Sequence, residues 1–284
     1  MKLLHQAIFF ALLASAPEVF AAHLSVSAPV TAGNPTTLHA PGSGSSTLYL
    51  FGPGGASKRQ VQRGDIVLSA DDLQVAGRYT ALLDGSSTSF FVTAAPVEKL
   101  SFIARPSRVP AAAHGSVLGA AFLFDRYQNL VLTSAPVRFR LGTEESSESE
   151  RTVASHEGIA WVQLDSGRRS GPAQFTASVG SVSVRRIVQQ VAADPCSIRM
   201  TASRAPDGNI LVETSPIQDC AGNAVPDGTI VTFASVDQAG RSTVDARVKR
   251  GSARAELPPS SSATISVAAG VVLGNEIHWE GDRR

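Results

Sequence analysis

Along most of this chain, apolar and polar residues alternate in short runs. Val137-Arg138-Phe139-Arg140-Leu141 alternates strictly, as a strand with one buried face does. Ala160-Trp161-Val162-Gln163-Leu164, Phe175-Thr176-Ala177-Ser178-Val179 and Val182-Ser183-Val184 keep the same period. So do Ile230-Val231-Thr232-Phe233, Ala253-Arg254-Ala255-Glu256-Leu257 and Thr264-Ile265-Ser266-Val267. Ser166-Gly167, Val179-Gly180-Ser181, Asp207-Gly208-Asn209 and Asp227-Gly228 supply turns between them. Nearer the N-terminus, Leu48-Tyr49-Leu50-Phe51, Asp65-Ile66-Val67-Leu68 and Thr88-Ser89-Phe90-Phe91-Val92 read as strands. Gly42-Ser43-Gly44-Ser45-Ser46 reads as a hairpin tip or loop. No helical period with caps persists past about ten residues. The pattern predicts an all-β chain.

A longer period lies over the short one. Asp125-Arg126-Tyr127-Gln128-Asn129-Leu130-Val131, with Val137-Arg138-Phe139 after it, recurs 94 positions on. The second copy is Asp219-Cys220-Ala221-Gly222-Asn223-Ala224-Val225, with Val231-Thr232-Phe233 after it. Gly158-Ile159-Ala160 through Leu164 answers to Gly251-Ser252-Ala253 through Leu257. Ala94-Ala95-Pro96 and Val191-Ala192-Ala193-Asp194-Pro195 read as short linkers. They divide the chain into segments 22–95, 97–190 and 193–284, the last two being copies of a unit of about 90 residues. Many short strands in a unit of that length predict a two-sheet antiparallel sandwich. The first segment is a divergent relative. Its Leu73, then Gly77-Arg78-Tyr79, looks like the turn-and-tyrosine entry to a late strand of an immunoglobulin-like sandwich. A tyrosine there buries its ring and bonds back to the loop, or simply stands on an ordinary strand.

The pattern Asp-x-x-x-Asn-x-Val, Val-x-Phe, Gly-x-Ala-x-x-x-Leu resembles the bacterial immunoglobulin-like domains of the invasin/intimin type. One copy is carried by Asp125, Asn129, Val131, Val137, Phe139, Gly158, Ala160 and Leu164. The other is carried by Asp219, Asn223, Val225, Val231, Phe233, Gly251, Ala253 and Leu257. Gln128 departs from the glycine that the family prefers and that Gly222 supplies. The resemblance implies three tandem immunoglobulin-like β-sandwiches similar to those in the stalks of bacterial surface adhesins. The outer-membrane barrel that anchors such adhesins is not expected within these 284 residues. Asp125, Asn129, Asp219 and Asn223 are expected to hold the loop after the second strand, because short polar side chains bond their own backbone. Phe139 and Phe233 are expected to fill the core below. The same topology sets the start of the first strand beside the end of the second, which places Cys196 next to Cys220. A bridge there closes a loop of about 25 residues and stabilises by very roughly 3 kcal/mol. The other copy has Leu100 and Arg126 at the matching places, so the bridge is not essential to the fold.

Residues 1–21 read as a secretory leader. Lys2 precedes the apolar run Ile8-Phe9-Phe10-Ala11-Leu12-Leu13-Ala14, Pro17 and Glu18 break it, and Val19-Phe20-Ala21 suits cleavage after Ala21. The run is shorter than the roughly 20 residues a membrane span needs, and no later run approaches that length. No cysteine follows the cleavage point to take a lipid, and the C-terminus carries no sorting signal. Export favours bridging of Cys196 and Cys220, the only two cysteines.

The net charge of +1 argues against a nucleic-acid binder of the strongly basic kind. The histidines His23, His39, His114, His156 and His278 lack metal-motif spacing, and neither a nucleophile elbow nor a phosphate loop is present. No catalytic residue, cofactor or metal is expected. The acidic run 144–150 reads as a solvated hairpin tip, without the Asp/Gly spacing of a calcium loop. Arg168-Arg169, Arg185-Arg186 and Lys249-Arg250 read as solvated strand ends, and Trp161 and Trp279 as packing residues. The expected function is a non-enzymatic exported module, adhesin-like or structural in the cell envelope, with a protein or cell-surface partner. It is placed in the periplasm, on the cell surface or outside. Two alternatives remain. One is a periplasmic assembly or pilus accessory factor pairing through an edge strand. The other is a carbohydrate-binding accessory protein, which needs exposed aromatics among Tyr49, Tyr79, Tyr127 and the two tryptophans.

Overall fold

A computed structural model describes residues 23–142 and 147–281. The expected leader and the tip of the acidic run lie outside those residues. The chain falls into two compact units, Met1–Thr93 and Ala94–Arg284. Strands dominate, and one 3-10 turn, Asp71–Leu73, is the sole helical element among the described residues.

The first unit has six strands: β1 (Ser25–Val26), β2 (Val30–Thr31), β3 (Thr36–Gly52), β4 (Gly55–Leu68), β5 (Gly77–Leu83) and β6 (Ser86–Thr93). Strand β3 pairs with β1 through its first half and with β5 through its second, while β4 follows it along its other edge. Its register slips between Ala40 and Ser45, where Gly42 and Gly44 take φ of 99° and 101°. Glycine adopts such angles without a Cβ clash. The glycine-serine stretch expected as a loop is therefore a bulge inside one long strand. The Tyr79 ring is buried and stacks on Phe90 at 5.6 Å, and its hydroxyl donates to the Val75 carbonyl at 2.9 Å.

The second unit contains both copies of the repeat. The first copy runs β7 (Lys99–Arg105), β8 (Arg108–Pro110), β9 (Val117–Phe124), β10 (Pro136–Gly142), β11 (Ser147–Ala154), β12 (Ile159–Leu164), β13 (Gly171–Val179) and β14 (Val182–Val191). One sheet has the order β11-β10-β13-β14-β8, the other β12-β9-β7. Between them Phe102, Phe139 and Phe175 meet with ring centroids 5.0–6.2 Å apart, all but inaccessible to water. Arg185 and Arg186, expected at a strand end, lie in the middle of β14.

The second copy runs β15 (Pro195–Ser197), β16 (Met200–Arg204), β17 (Ile210–Thr214), β18 (Gln218–Asp219), β19 (Ile230–Asp237), β20 (Gly240–Arg247), β21 (Arg254–Leu257), β22 (Ser262–Ala269), β23 (Val272–Leu273) and β24 (Ile277–Glu280). The sheets β16-β17-β21 and β20-β19-β22 enclose a separate core around Phe233, Ile210, Ile217 and Ile265. Its three-stranded sheet matches β7-β9-β12 by register, since Met200 faces Thr214 as Phe102 faces Ala121.

The aromatic cluster of the first copy depends on Gly119. A Cβ added there would lie 2.5 Å from Phe175 Cζ and 3.0 Å from Phe102 Cε2. Gly119→Ala is expected to destabilise the first copy by about 1–3 kcal/mol, because a closely packed core resists an added methyl. Urea unfolding of the full chain reads this directly, and an unchanged transition would contradict the packing described.

Candidate functional site

Two features of the second unit bear on function: the joint between the copies, and the outer face of one sheet. The joint is built on the paired Asp and Asn. Asp219 ends β18 with its carboxylate buried. Its Oδ1 accepts the backbone N–H of Ala221 at 2.9 Å and of Asn223 at 2.8 Å. Its Oδ2 accepts the Asn223 amide at 2.9 Å and the N–H of Ala193, in the linker, at 3.0 Å. Burial opposes ionisation of this carboxyl, but the bonds from Asn223, Ala193 and Ala221 outweigh it and hold its pKa below the usual value.

Asn223 reaches across to the preceding copy. Its Oδ1 accepts the Ser170 N–H at 2.8 Å, and its Nδ2 donates to the Arg168 carbonyl at 2.8 Å. Gln190 braces the same loop, accepting from Gly167 N–H and donating to the Arg169 carbonyl. The loop that meets the next repeat is thus tied to both sides of the linker. Asp125 repeats the local part of the design. It accepts the N–H groups of Tyr127, Asn129 and Ala95 at 2.8–2.9 Å, and the Asn129 amide at 2.8 Å.

Cys196 and Cys220 are disulfide-bonded. The bridge joins the start of β15 to the loop after β18, beside Asp219. The residue opposite Arg126 in the first copy is not Leu100. The N–H that meets the buried carboxylate belongs to Ala95 in one copy and Ala193 in the other. Counting from it places Glu98 at the position of Cys196. Glu98 forms an ion pair with Arg126, at 3.6 Å, where the second copy has its disulfide. Leu100 instead points into the core.

The second feature is the outer face of the β7-β9-β12 sheet. Trp161, expected to pack, is 63% exposed on the outer face of β12. Register places it in one row with Ala120 and Ile103, and the neighbouring rows are Ile159–Phe122–Ser101 and Gln163–Leu118–Arg105. Strand β9 is apolar on both faces: Val117, Gly119, Ala121 and Leu123 point inward, while Leu118, Ala120, Phe122 and Phe124 point outward. That unbroken apolar run is the signal in the sequence, since a half-solvated strand alternates. Trp279, by contrast, is half-buried against the second core, with its Nε1 donating to the Ser260 carbonyl at 3.1 Å.

The remaining candidates stay apart. Glu150 of the acidic run forms a two-pronged ion pair with Arg138 across β10 and β11, at 2.8 and 2.9 Å. Among the described residues, no group of three or more His, Cys, Asp or Glu side chains is placed to hold a metal ion. Arg168 and Arg169 serve the joint through their carbonyls.

Solved structures with this architecture include two bacterial proteins. The Escherichia coli adhesin FdeC superposes with a TM-score of 0.58 at 11% identity, covering 89% of this chain and 94% of that one. InvD of Yersinia pseudotuberculosis gives a TM-score of 0.50 at 11% identity, covering 89% and 96%. The fold is that of bacterial immunoglobulin-like domains. No protein-family model matches the chain, and no curated protein does. At this identity the likeness speaks for the fold alone.

Two outcomes follow from the Asp-Asn loops. Asp219→Ala strips the acceptor from three backbone N–H groups, and is expected to lower the stability of the second copy by roughly 2–4 kcal/mol. The depressed carboxyl gives stability that is complete above the unfolded value of about 3.9 and is lost as pH falls through the lower folded value. Urea midpoints measured from neutral pH down to about pH 3 should fall more steeply for the wild type than for Asp219→Asn. Gln128 holds φ of 70° where Gly222 holds 89°. Gln128→Gly is expected to raise stability by about 0.5–1 kcal/mol, seen in thermal unfolding, because the left-handed conformation strains a side chain that glycine lacks.

Proposed function

We propose that this chain is an exported, non-enzymatic interaction protein of the cell envelope, adhesin-like in role. It is built of three tandem immunoglobulin-like domains, 22–95, 97–190 and 193–284, behind a leader removed after Ala21. The partner is a protein or another cell-surface component.

One observation carries this reading. An antiparallel sheet normally solvates one of its faces. The outward face of β7-β9-β12 instead carries the exposed Trp161, Ile159, Ile103 and Leu118, with Phe122 and Phe124 half-buried among them. Contiguous exposed apolar surface of this kind marks a place where something docks. The hydrogen-bonded joint supports the same reading, because it fixes the second copy relative to this face. Such a scaffold presents a surface and needs no chemistry of its own. The architecture shared with FdeC, described as an adhesin, agrees with it. Trp161 meets the condition for stacking on a sugar, but Gln163 is the one polar side chain beside it, and Ile159, Ala120, Ile103, Leu118 and Phe122 make the rest of its surround apolar. A protein surface suits it better.

The test is topological. With a C-terminal tag, protease applied to intact cells before fractionation should cleave the protein, or the protein should be recovered from the medium. Protection until the outer envelope is opened would overturn a surface role and leave a periplasmic one.

A further inference from the structure

We propose that the outer face of the β7-β9-β12 sheet recognises a second copy of this chain, face to face. This deepens the reading as an interaction protein, and rests on it, by naming the occupant.

The two repeats provide an internal control. Register aligns the row Trp161–Ala120–Ile103 with Arg254–Glu213–Thr201 in the second copy. It aligns Gln163–Leu118–Arg105 with Glu256–Leu211–Ser203. The same sheet of the same fold therefore stands well with opposite charges on its outer face. Folding does not demand the apolar side chains at 103, 120 and 161.

The charges around the face select the occupant and its orientation. Strands β7 and β12 are both antiparallel to β9, so they run in the same direction along opposite edges. Exposed cations, Lys99 and Arg105, stand at the two ends of β7. Exposed carboxylates flank β12, Glu157 before it and Asp165 after it. Asp165 accepts the Gly115 N–H at 2.7 Å and contacts His114 Nδ1 at 3.2 Å, yet keeps 58% of its side-chain exposure. A two-fold axis parallel to the strands, between two such faces, lays β7 of one copy over β12 of the other at the same height. Lys99 then stands level with Glu157, while Arg105 stands level with Gln163, one row or about 7 Å short of Asp165 and within reach of a long side chain; symmetry makes each pair twice. Trp161 of one copy lies over the Ile103 edge of the other. A two-fold axis across the strands would set Lys99 over Arg105, and like charges would oppose it. Of the two arrangements, only the first pairs opposite charges.

Its size sets the strength. Four rows on three strands cover about 300 Å² per copy at ordinary strand spacing. A standard interface takes about 800 Å² per partner. The pairing therefore belongs with small, transient contacts rather than with stable dimers. Copies crowded on one surface gain through multivalency.

Sedimentation velocity on purified residues 22–284, from about 10 μM to about 1 mM, tests the proposal. The weight-average sedimentation coefficient should rise with concentration. Trp161→Arg, which installs the residue type found at Arg254, should abolish the rise. Lys99→Glu should weaken association roughly tenfold, and Lys99→Glu combined with Glu157→Lys should restore it to within about threefold of wild type. Unchanged far-ultraviolet circular dichroism and thermal unfolding keep these comparisons valid, and Ile103→Thr, copying Thr201, serves if Trp161→Arg fails to fold. A wild type that is monomeric at about 1 mM overturns the proposal and leaves the face to a different protein. So does association that both Trp161→Arg and Ile103→Thr leave intact. Absence of rescue by the charge exchange overturns the arrangement. Failure of the surface reading would appear on intact cells, whereas failure of self-recognition appears in purified protein.

Discussion

A carboxylate buried at the end of a strand has to be satisfied by hydrogen bonds, and here it is satisfied by backbone. Asp219 gathers the N–H groups of its own loop and of the linker before it, and Asn223, held by that carboxylate, reaches into the previous repeat. A buried charge without those partners would cost several kcal/mol, so loop, linker and neighbour keep their places together. Much else follows from this constraint. The disulfide closes beside it, and the loop after β12 is shaped to meet it. Among the described residues, no buried side-chain nitrogen or oxygen lacks a partner.

The repeats solve one local problem in two ways. Where the second copy fastens the start of its first strand with Cys196 and Cys220, the first copy places Glu98 and Arg126. An exposed ion pair holds far less than a covalent bond. The shared element is the Asp-Asn loop, and the fastening is an addition to it. The outer sheet faces diverge in the same manner. A sandwich needs only its inner positions to be apolar, so the outer face is free to carry charge in one copy and tryptophan in the other.

Much of this was legible in the sequence. Strict alternation marked strands such as β10 and β13, and the repeat put the Asp-Asn loops and the cysteines in their places. Other features were hidden for physical reasons. Gly42 and Gly44 carry no side chain to show alternation, so a bulged strand looked like a loop. In Ala160-Trp161-Val162-Gln163-Leu164 four of five residues are apolar, and only the pairing with β9 shows which parity faces water. Matching Arg126 with Leu100 overlooks the longer connection between β7 and β9 in the first copy, which carries β8: the linker N–H lies 30 residues before Asp125 but 26 before Asp219. The reach of Asn223 into the other repeat depends on a neighbour 53 residues away, which no local pattern reports.

The Asp219–Asn223 joint holds the two repeats of the second unit as one body. Residual dipolar couplings of backbone amides, measured in a weakly aligned sample of the intact chain, test it most directly. If the joint is rigid, couplings from both repeats fit a single alignment tensor of one magnitude and orientation. Two tensors of clearly different magnitude would show the repeats moving independently, and would contradict the account.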